Sequence, residues 1–149
     1  MKVKYILMAL LTAFSISNVS NVLAKGNLAK QEPIVVEMTM SEFSFTPQHL
    51  SFETGKLYKL IIKNVGTIKH EIDSSALSHL AYTRKIQIID KKGGLVAEVK
   101  GVPAEIEVGP GYEVEWWFVP VATTDGKEEF VCLLPGHYEA GMHGTMSFE

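Results

Sequence analysis

The sequence is poor in cysteine, in basic charge and in long apolar runs, and each shortage excludes a class of protein. It has one cysteine in 149 residues, which excludes an internal disulfide and any metal or redox site built on paired cysteines. Acidic residues outnumber basic ones by 17 to 14, so the basic surface of a nucleic-acid-binding protein is missing and no nucleic-acid partner is expected. With 46% hydrophobic and 21% charged residues, the composition is that of a globular protein of one domain.

The first 24 residues have the pattern of a secretory signal peptide. Lys2 and Lys4 precede an apolar run over residues 5–16, and a polar stretch follows with Val22 and Ala24 at the usual cleavage positions. The apolar run is about a dozen residues long, whereas crossing a bilayer takes roughly 20, so an uncleaved anchor is the less favoured alternative. We predict cleavage after Ala24, export to the periplasm and no stable membrane insertion of the mature chain.

Cleavage would change the charge and the state of the lone thiol. Residues 1–24 contain two of the 14 basic residues and none of the 17 acidic ones, so the mature chain has 12 basic residues and a net charge of −5. An exported protein meets an oxidising compartment, where cysteines usually pair. Cys132 has no partner cysteine in the chain, and therefore another role for this thiol is expected.

The mature chain consists of short alternating runs separated by Gly and Pro turns, which predicts an all-β fold. Residues 25–32 are expected to be a flexible lead-in, and residues 33–149 a single domain. Only residues 74–82 (SSALSHLAY) look helical. We therefore predict a Greek-key β-sandwich or barrel of about eight strands with a short helical insert near 74–82. The predicted strands cover residues 34–40, 49–52, 57–64, 84–89, 95–100, 105–108, 112–119, 128–132 and 145–148.

The last quarter of the chain brings three kinds of metal donor together. A predicted strand ends at Cys132, a Pro-Gly turn follows, and His137 and Met142 come five and ten residues after the cysteine. A second imidazole, His70, lies just beyond the predicted strand 57–64 and its turn. Neighbouring strands of a sandwich can bring His70 beside Cys132 despite 62 residues of separation.

One thiolate, two imidazoles and a thioether form the donor set of a blue-copper site. The soft thiolate suits Cu(I), imidazole suits both oxidation states, and a weak axial thioether adjusts the reduction potential without favouring Cu(II) geometry. Holding these donors on a rigid sandwich limits rearrangement when an electron moves. The pattern predicts one copper ion that cycles between Cu(I) and Cu(II).

At these residues the chain resembles the cupredoxins, the plastocyanin and azurin superfamily, and within it the small periplasmic copper-binding and copper-resistance members. The resemblance covers nearly all of residues 33–149. Its motifs are the loop CLLPGHYEAGMHG over 132–144, the pattern MSEFSFTP over 40–47 and the segment NVGTIKHE over 64–71. It implies that His70, Cys132, His137 and Met142 are the copper ligands.

Two features depart from the patterns of well-known relatives. Four residues separate Cys132 from His137, as in azurin-like loops, and four separate His137 from Met142, as in plastocyanin-like ones. Many electron-carrying relatives have Asn after the first ligand histidine, where this chain has Glu71. An acid pointing at the metal would favour Cu(II), so the direction of the Glu71 side chain matters.

The same residues allow other interpretations. Each ligand candidate has a structural alternative, as a buried thiol, a core histidine or a core methionine. A zinc site suits one Cys and two His, but the methionine argues against it; a binuclear copper centre needs a second cysteine. His79 and His143 are expected at the surface, although with acidic neighbours they are candidates for an extra copper site.

The leading hypothesis is a periplasmic electron-transfer protein with a mononuclear type 1 copper, whose partner is a redox protein such as a cytochrome. The alternative is a copper-resistance or trafficking protein that sequesters copper or exchanges it with a donor or acceptor protein. A third hypothesis is a metal-free interaction domain. We expect a monomer, and we expect no enzymatic activity because four protein ligands leave no open metal position for a substrate.

Overall fold

The computed structural model describes residues 31–149, which form two packed β-sheets and one short helix. The proposed signal peptide and most of the expected lead-in lie outside the described residues. The first sheet has the strand order β2–β1–β4–β9–β6–β7 and the second β3–β11–β10–β5–β8. In chain order the elements are β1 (Ile34–Ser41), β2 (Ser44–Thr46), β3 (His49–Phe52), β4 (Tyr58–Asn64), β5 (His70–Asp73), α1 (Ser75–His79), β6 (Ala81–Ile89), β7 (Leu95–Val99), β8 (Glu105–Val108), β9 (Glu113–Pro120), β10 (Glu128–Val131) and β11 (His143–Phe148).

The alternation in the sequence places one face of each sheet in a shared core, as the sandwich prediction requires. In β9 the side chains of Val114, Trp116 and Phe118 are buried, while the residues between them are less so. Trp116 stacks on Phe118 with ring centroids 3.9 Å apart, and Phe52 of the opposite sheet meets Phe118 edge to face. Aromatic rings from both sheets therefore fill the space between them, and the predicted all-β sandwich is confirmed.

The structure differs from the predicted elements at three places. The helix covers only Ser75–His79, with Ser74 as its N-cap, and the end of the predicted helical segment belongs to β6 because Ala81 and Tyr82 pair with β9. Strand β2 has three residues, too few for an alternating pattern to be recognised. Strand β5 has charged or polar residues at three of its four positions, so it lacks the alternation of apolar and polar residues by which a strand is recognised. With these additions the described residues contain eleven strands rather than about eight.

Strand pairing brings distant parts of the chain to one end of the second sheet. Strand β5 runs antiparallel to β10, with Asp73 opposite Val131. The start of β5, at His70, therefore lies at the same end as the residue after β10, which is Cys132. Strand β11 pairs with β10 on its other side, with His143 opposite Val131. The beginning and the end of the predicted ligand loop are thus held by one central strand.

No helix among residues 31–149 is long and apolar enough to cross a membrane.

Candidate metal centre

A tight loop between β10 and β11 places Cys132, His137 and Met142. The backbone N–H of Cys132 donates to the carbonyl of Met142 (3.1 Å), and the N–H of Met142 donates to the carbonyl of His137 (3.0 Å). Between them the chain turns at Gly136, whose φ of 81° lies in the left-handed region that glycine adopts without strain. These backbone bonds fix the spacing of the three candidate ligands before any metal binds.

Three potential donor atoms converge in the interior. The Sγ of Cys132 lies 3.2 Å from Nδ1 of His137, and Nδ1 of His70 lies 3.3 Å from the same nitrogen. All three donor atoms are within 4.8 Å of one another. The structure therefore brings His70 beside Cys132 and His137 across 62 residues of sequence, as the sandwich topology predicted.

Met142 is also buried at the site end of the sandwich. It is fully buried and belongs to the same core cluster as Cys132. Its two backbone hydrogen bonds connect it directly to Cys132 and His137. The assignment of Met142 as an axial ligand stays a prediction that its backbone position favours.

Burial sets the protonation states of the donors. Burial raises the pKa of the Cys132 thiol, and the backbone N–H groups of Glu71 and Leu134, which donate to the sulfur, oppose that shift. Burial and the neighbouring His137 lower the pKa of His70, which favours the neutral imidazole that a metal needs. A metal that binds Cys132 as a thiolate must therefore displace a proton.

The chemistry of the donor set fits a metal-binding role. Nδ1 of His70 lies within hydrogen-bond distance of Nδ1 of His137, which in turn lies within that distance of the Cys132 sulfur, so the histidine donor atoms face other donors. Nε2 of His70, on the other side of the ring, is buried without a hydrogen-bond partner among residues 31–149. A thiol and two imidazoles with converging donor atoms are the residue types that hold copper in His₂Cys sites.

Glu71 does not point at the metal centre. It follows His70 in β5, and successive side chains of a strand lie on opposite faces of the sheet. The Oε1 of Glu71 accepts a hydrogen bond from the backbone N–H of Leu133 (2.9 Å), and its carboxylate lies beside those of Glu105 and Glu107. Burial raises the pKa of Glu71. Glu71 thus anchors the residue after Cys132 and does not face the candidate ligands.

His79 and His143, the candidates for an extra copper site, are separate from the His70–Cys132–His137 group. Nδ1 of His79 lies 2.8 Å from the carbonyl of Ser75 in its own helix. His143 is exposed, with Nδ1 3.7 Å from a carboxylate oxygen of Glu129. Within the described part of the chain, neither histidine joins a group of three metal-binding side chains.

Sequence reasoning missed two residues of the turn between β1 and β2. The ring of Phe43 packs edge to face on the ring of His137, with centroids 5.2 Å apart. Glu42 accepts hydrogen bonds from the backbone N–H and the hydroxyl of Thr67, which lower its pKa to about 2. Both residues are part of the quoted pattern over 40–47, but nothing local in that pattern indicates that the turn folds onto the ligand loop.

The chain matches no protein-family model. It is similar to the copper-resistant cuproprotein CopI of Rubrivivax gelatinosus, with 27% identity over 122 residues that span 81% of this chain and 69% of the relative. It is also similar to CopI of Pseudomonas aeruginosa, with 23% identity, 81% of this chain and 79% of the relative.

Among solved structures, the multicopper oxidase of Campylobacter jejuni superposes with a TM-score of 0.59 and 18% identity, over 79% of this chain but only 30% of the oxidase. Auracyanin B superposes with a TM-score of 0.50 and 18% identity, over 80% of this chain and 91% of its own. At these identities the structures establish the fold alone. Together with the CopI relatives, they confirm the resemblance to cupredoxins that the motifs indicated.

Proposed function

We propose that this protein is an exported cupredoxin that binds one copper ion and acts in copper resistance. The observation that supports copper binding most directly is the convergence of the Cys132 sulfur and the two Nδ1 atoms of His70 and His137 in a buried site. Met142 completes the proposed ligand set. When bound, copper supplies a centre that changes between Cu(I) and Cu(II) without leaving its ligands.

The residues of the chain bind, orient and shield the ion. The backbone bonds of Met142 hold the ligand loop closed, and the hydrogen bond from Leu133 to Glu71 ties that loop to β5. Three of the four proposed ligands are fully buried, which keeps water and competing ligands away. Such a site suits a protein that binds copper tightly and so prevents the ion from reacting with other molecules.

We prefer copper resistance to electron transfer because the similar CopI proteins are named for copper resistance. The proposed signal peptide would place the protein in the periplasm. There the protein, as a monomer, would receive copper from a partner protein or pass copper to one. With all four positions on the metal supplied by the chain, no enzymatic activity is proposed.

Two measurements test this function. Equilibrium dialysis of residues 25–149 against copper should give one tightly bound ion per chain, and the double variant His79→Ala/His143→Ala should keep that stoichiometry. A host that lacks the gene should grow poorly in copper, and the wild-type gene but not Cys132→Ser should restore its growth. Rescue by the Cys132→Ser variant would contradict the proposal.

Electron transfer is the second candidate function. It is supported by the position of His137, the one proposed ligand with any exposed surface, and by the exposed apolar side chain of Leu133 in the same loop. Mixing the Cu(I) protein with an oxidised cytochrome under anaerobic conditions should then produce rapid reduction of the cytochrome. Absence of exchange, with copper resistance intact, would remove this candidate.

A further inference from the structure

The two-residue turn between β1 and β2, Glu42–Phe43, lies over the proposed metal centre. Ser41 and Ser44 pair across its base, and their hydroxyls are hydrogen-bonded at 2.8 Å. From this turn the Phe43 ring meets His137 edge to face at an interplanar angle of 84°. We call Glu42–Phe43 the cap turn.

The conformation of Phe43 is unfavourable on local grounds. Its φ of 59° is in the left-handed region, and among residues 31–149 it is the only residue other than glycine with a positive φ. A bulky side chain rarely adopts this conformation, because its Cβ crowds the backbone. Such strain persists only where surrounding contacts impose it, and it occurs often at functional sites.

Contacts on the neighbouring loop hold the cap turn in place. Glu42 accepts two hydrogen bonds from Thr67, in the loop that leads to His70. Gly66 leaves room for this approach: a Cβ there would lie 2.9 Å from Oε1 of Glu42 and 3.1 Å from Nε2 of His70. The cap turn is therefore attached to the loop that precedes His70, while its Phe43 ring covers His137.

The cap turn also lies on the route to the ligand atoms. His70, Cys132 and Met142 have no exposed surface, and His137 is 6% exposed. A metal ion or a competing chelator must therefore approach at His137, where the ring of Phe43 packs. Phe43 is itself 44% exposed, so its outward movement would uncover His137 without disrupting the core.

We propose that Phe43 is a gate that limits the rate at which copper enters and leaves the site, and that Glu42 is a positioning residue that holds the gate closed through Thr67. This inference rests on the proposed copper binding. The gate controls the exchange of copper with small chelators and partner proteins, while the four ligands determine the affinity.

The test compares Phe43→Ala and Phe43→Gly with Tyr138→Ala. Tyr138 is a matched control because it is also 44% exposed and packs on a histidine, but on His143, which is not a proposed ligand. Phe43→Gly guards against misfolding, since glycine accepts the positive φ without strain. Thermal unfolding of each metal-free variant establishes that it is folded.

Two rates are measured on each protein. The first is the transfer of Cu(I) from the loaded protein to excess bathocuproine disulfonate, followed by absorbance. The second is the reaction of the Cys132 thiol of the metal-free protein with a thiol reagent, which needs no copper. Both Phe43 variants should raise both rates by about tenfold, with a smaller change in copper affinity, whereas Tyr138→Ala should stay within about twofold of wild type.

The positioning role of Glu42 is tested with Glu42→Ala, which removes the acceptor for both Thr67 donors and should raise both rates by less than the Phe43 variants do. Unchanged rates in folded Phe43→Ala and Phe43→Gly, or an equal acceleration by Tyr138→Ala, would overturn the gate. If the wild-type protein takes up no copper, the proposed function fails instead, and the thiol reaction of the metal-free proteins still decides whether Phe43 controls access.

Discussion

Asn64 is the residue whose removal should most clearly loosen the segment that carries His70. It ends β4, is buried, and its Nδ2 donates to the carbonyls of Ile68 and Val108, both at 2.7 Å. Its Oδ1 accepts from the N–H of Gly66 at 2.9 Å. The Asn64 side chain thus holds the loop between β4 and β5 in its conformation and connects it to β8.

The magnitude follows from these three hydrogen bonds. Each contributes about 0.5–1.5 kcal/mol net, and losing the side chain leaves backbone groups unpaired, so Asn64→Ala should lower the free energy of unfolding by about 2–4 kcal/mol. Gln87→Ala is the matched control, because its amide makes one exposed hydrogen bond, to Glu98 at 3.0 Å. The control should cost less than about 0.5 kcal/mol.

Urea denaturation of the metal-free proteins, followed by tryptophan fluorescence, measures both changes. A second substitution, Asn64→Asp, keeps the acceptor for Gly66 but replaces the donor to the two carbonyls by an oxygen. It should be at least as unstable as Asn64→Ala at neutral pH. If Asn64→Ala unfolds at the same urea concentration as Gln87→Ala, the proposed role of the amide in holding the loop is wrong.

Two further predictions concern other parts of the fold. Gly144→Ala should destabilise the metal-free protein by about 1–3 kcal/mol, because a Cβ there would overlap the ring of Phe130 and the carbonyl of Gln48; a urea midpoint equal to that of wild type would contradict this. The backbone N–H groups of Gly94 and Lys92 lower the pKa of Asp90 below its ordinary 3.8, so its ionised form stabilises the folded chain above pH 3.8, and this contribution is lost as the pH falls through the lowered pKa. The difference in melting temperature between wild type and Asp90→Asn should therefore shrink on acidification below pH 4, and a difference that grows would refute this assignment.

Much of the fold could be predicted from the sequence because the strands alternate and the turns contain Gly and Pro. The predicted bounds of strands such as His49–Phe52 and Glu105–Val108 agree with the structure. Strand β5 escaped prediction because three of its four residues are polar or charged, and one of them, His70, is at the candidate site, where function rather than the hydrophobic period selects the residue. The predicted end of the helix was wrong because the pairing of Ala81 and Tyr82 with β9 outweighed the local helical pattern.

The candidate site was predictable in its donors but not in its surroundings. Cys132, His137 and Met142 are close in sequence, and a sandwich can bring a preceding strand beside them, so the His70 contact followed from topology. The direction of Glu71 follows from strand alternation only once His70 is known to point inward. The contact of Phe43 with His137 depends on a left-handed backbone at a bulky residue and on Glu42 reaching Thr67, which no local pattern indicates.

Whether Cys132 binds copper as a thiolate between His70 and His137 can be measured by titrating residues 25–149 with Cu(II) while recording visible absorption and EPR. We predict an intense blue or green band that saturates at one equivalent, bleaches reversibly on reduction, shows a narrow copper hyperfine splitting and is absent from a folded Cys132→Ser variant. Copper bound without that band, or the same band in the Cys132→Ser variant, would contradict this prediction.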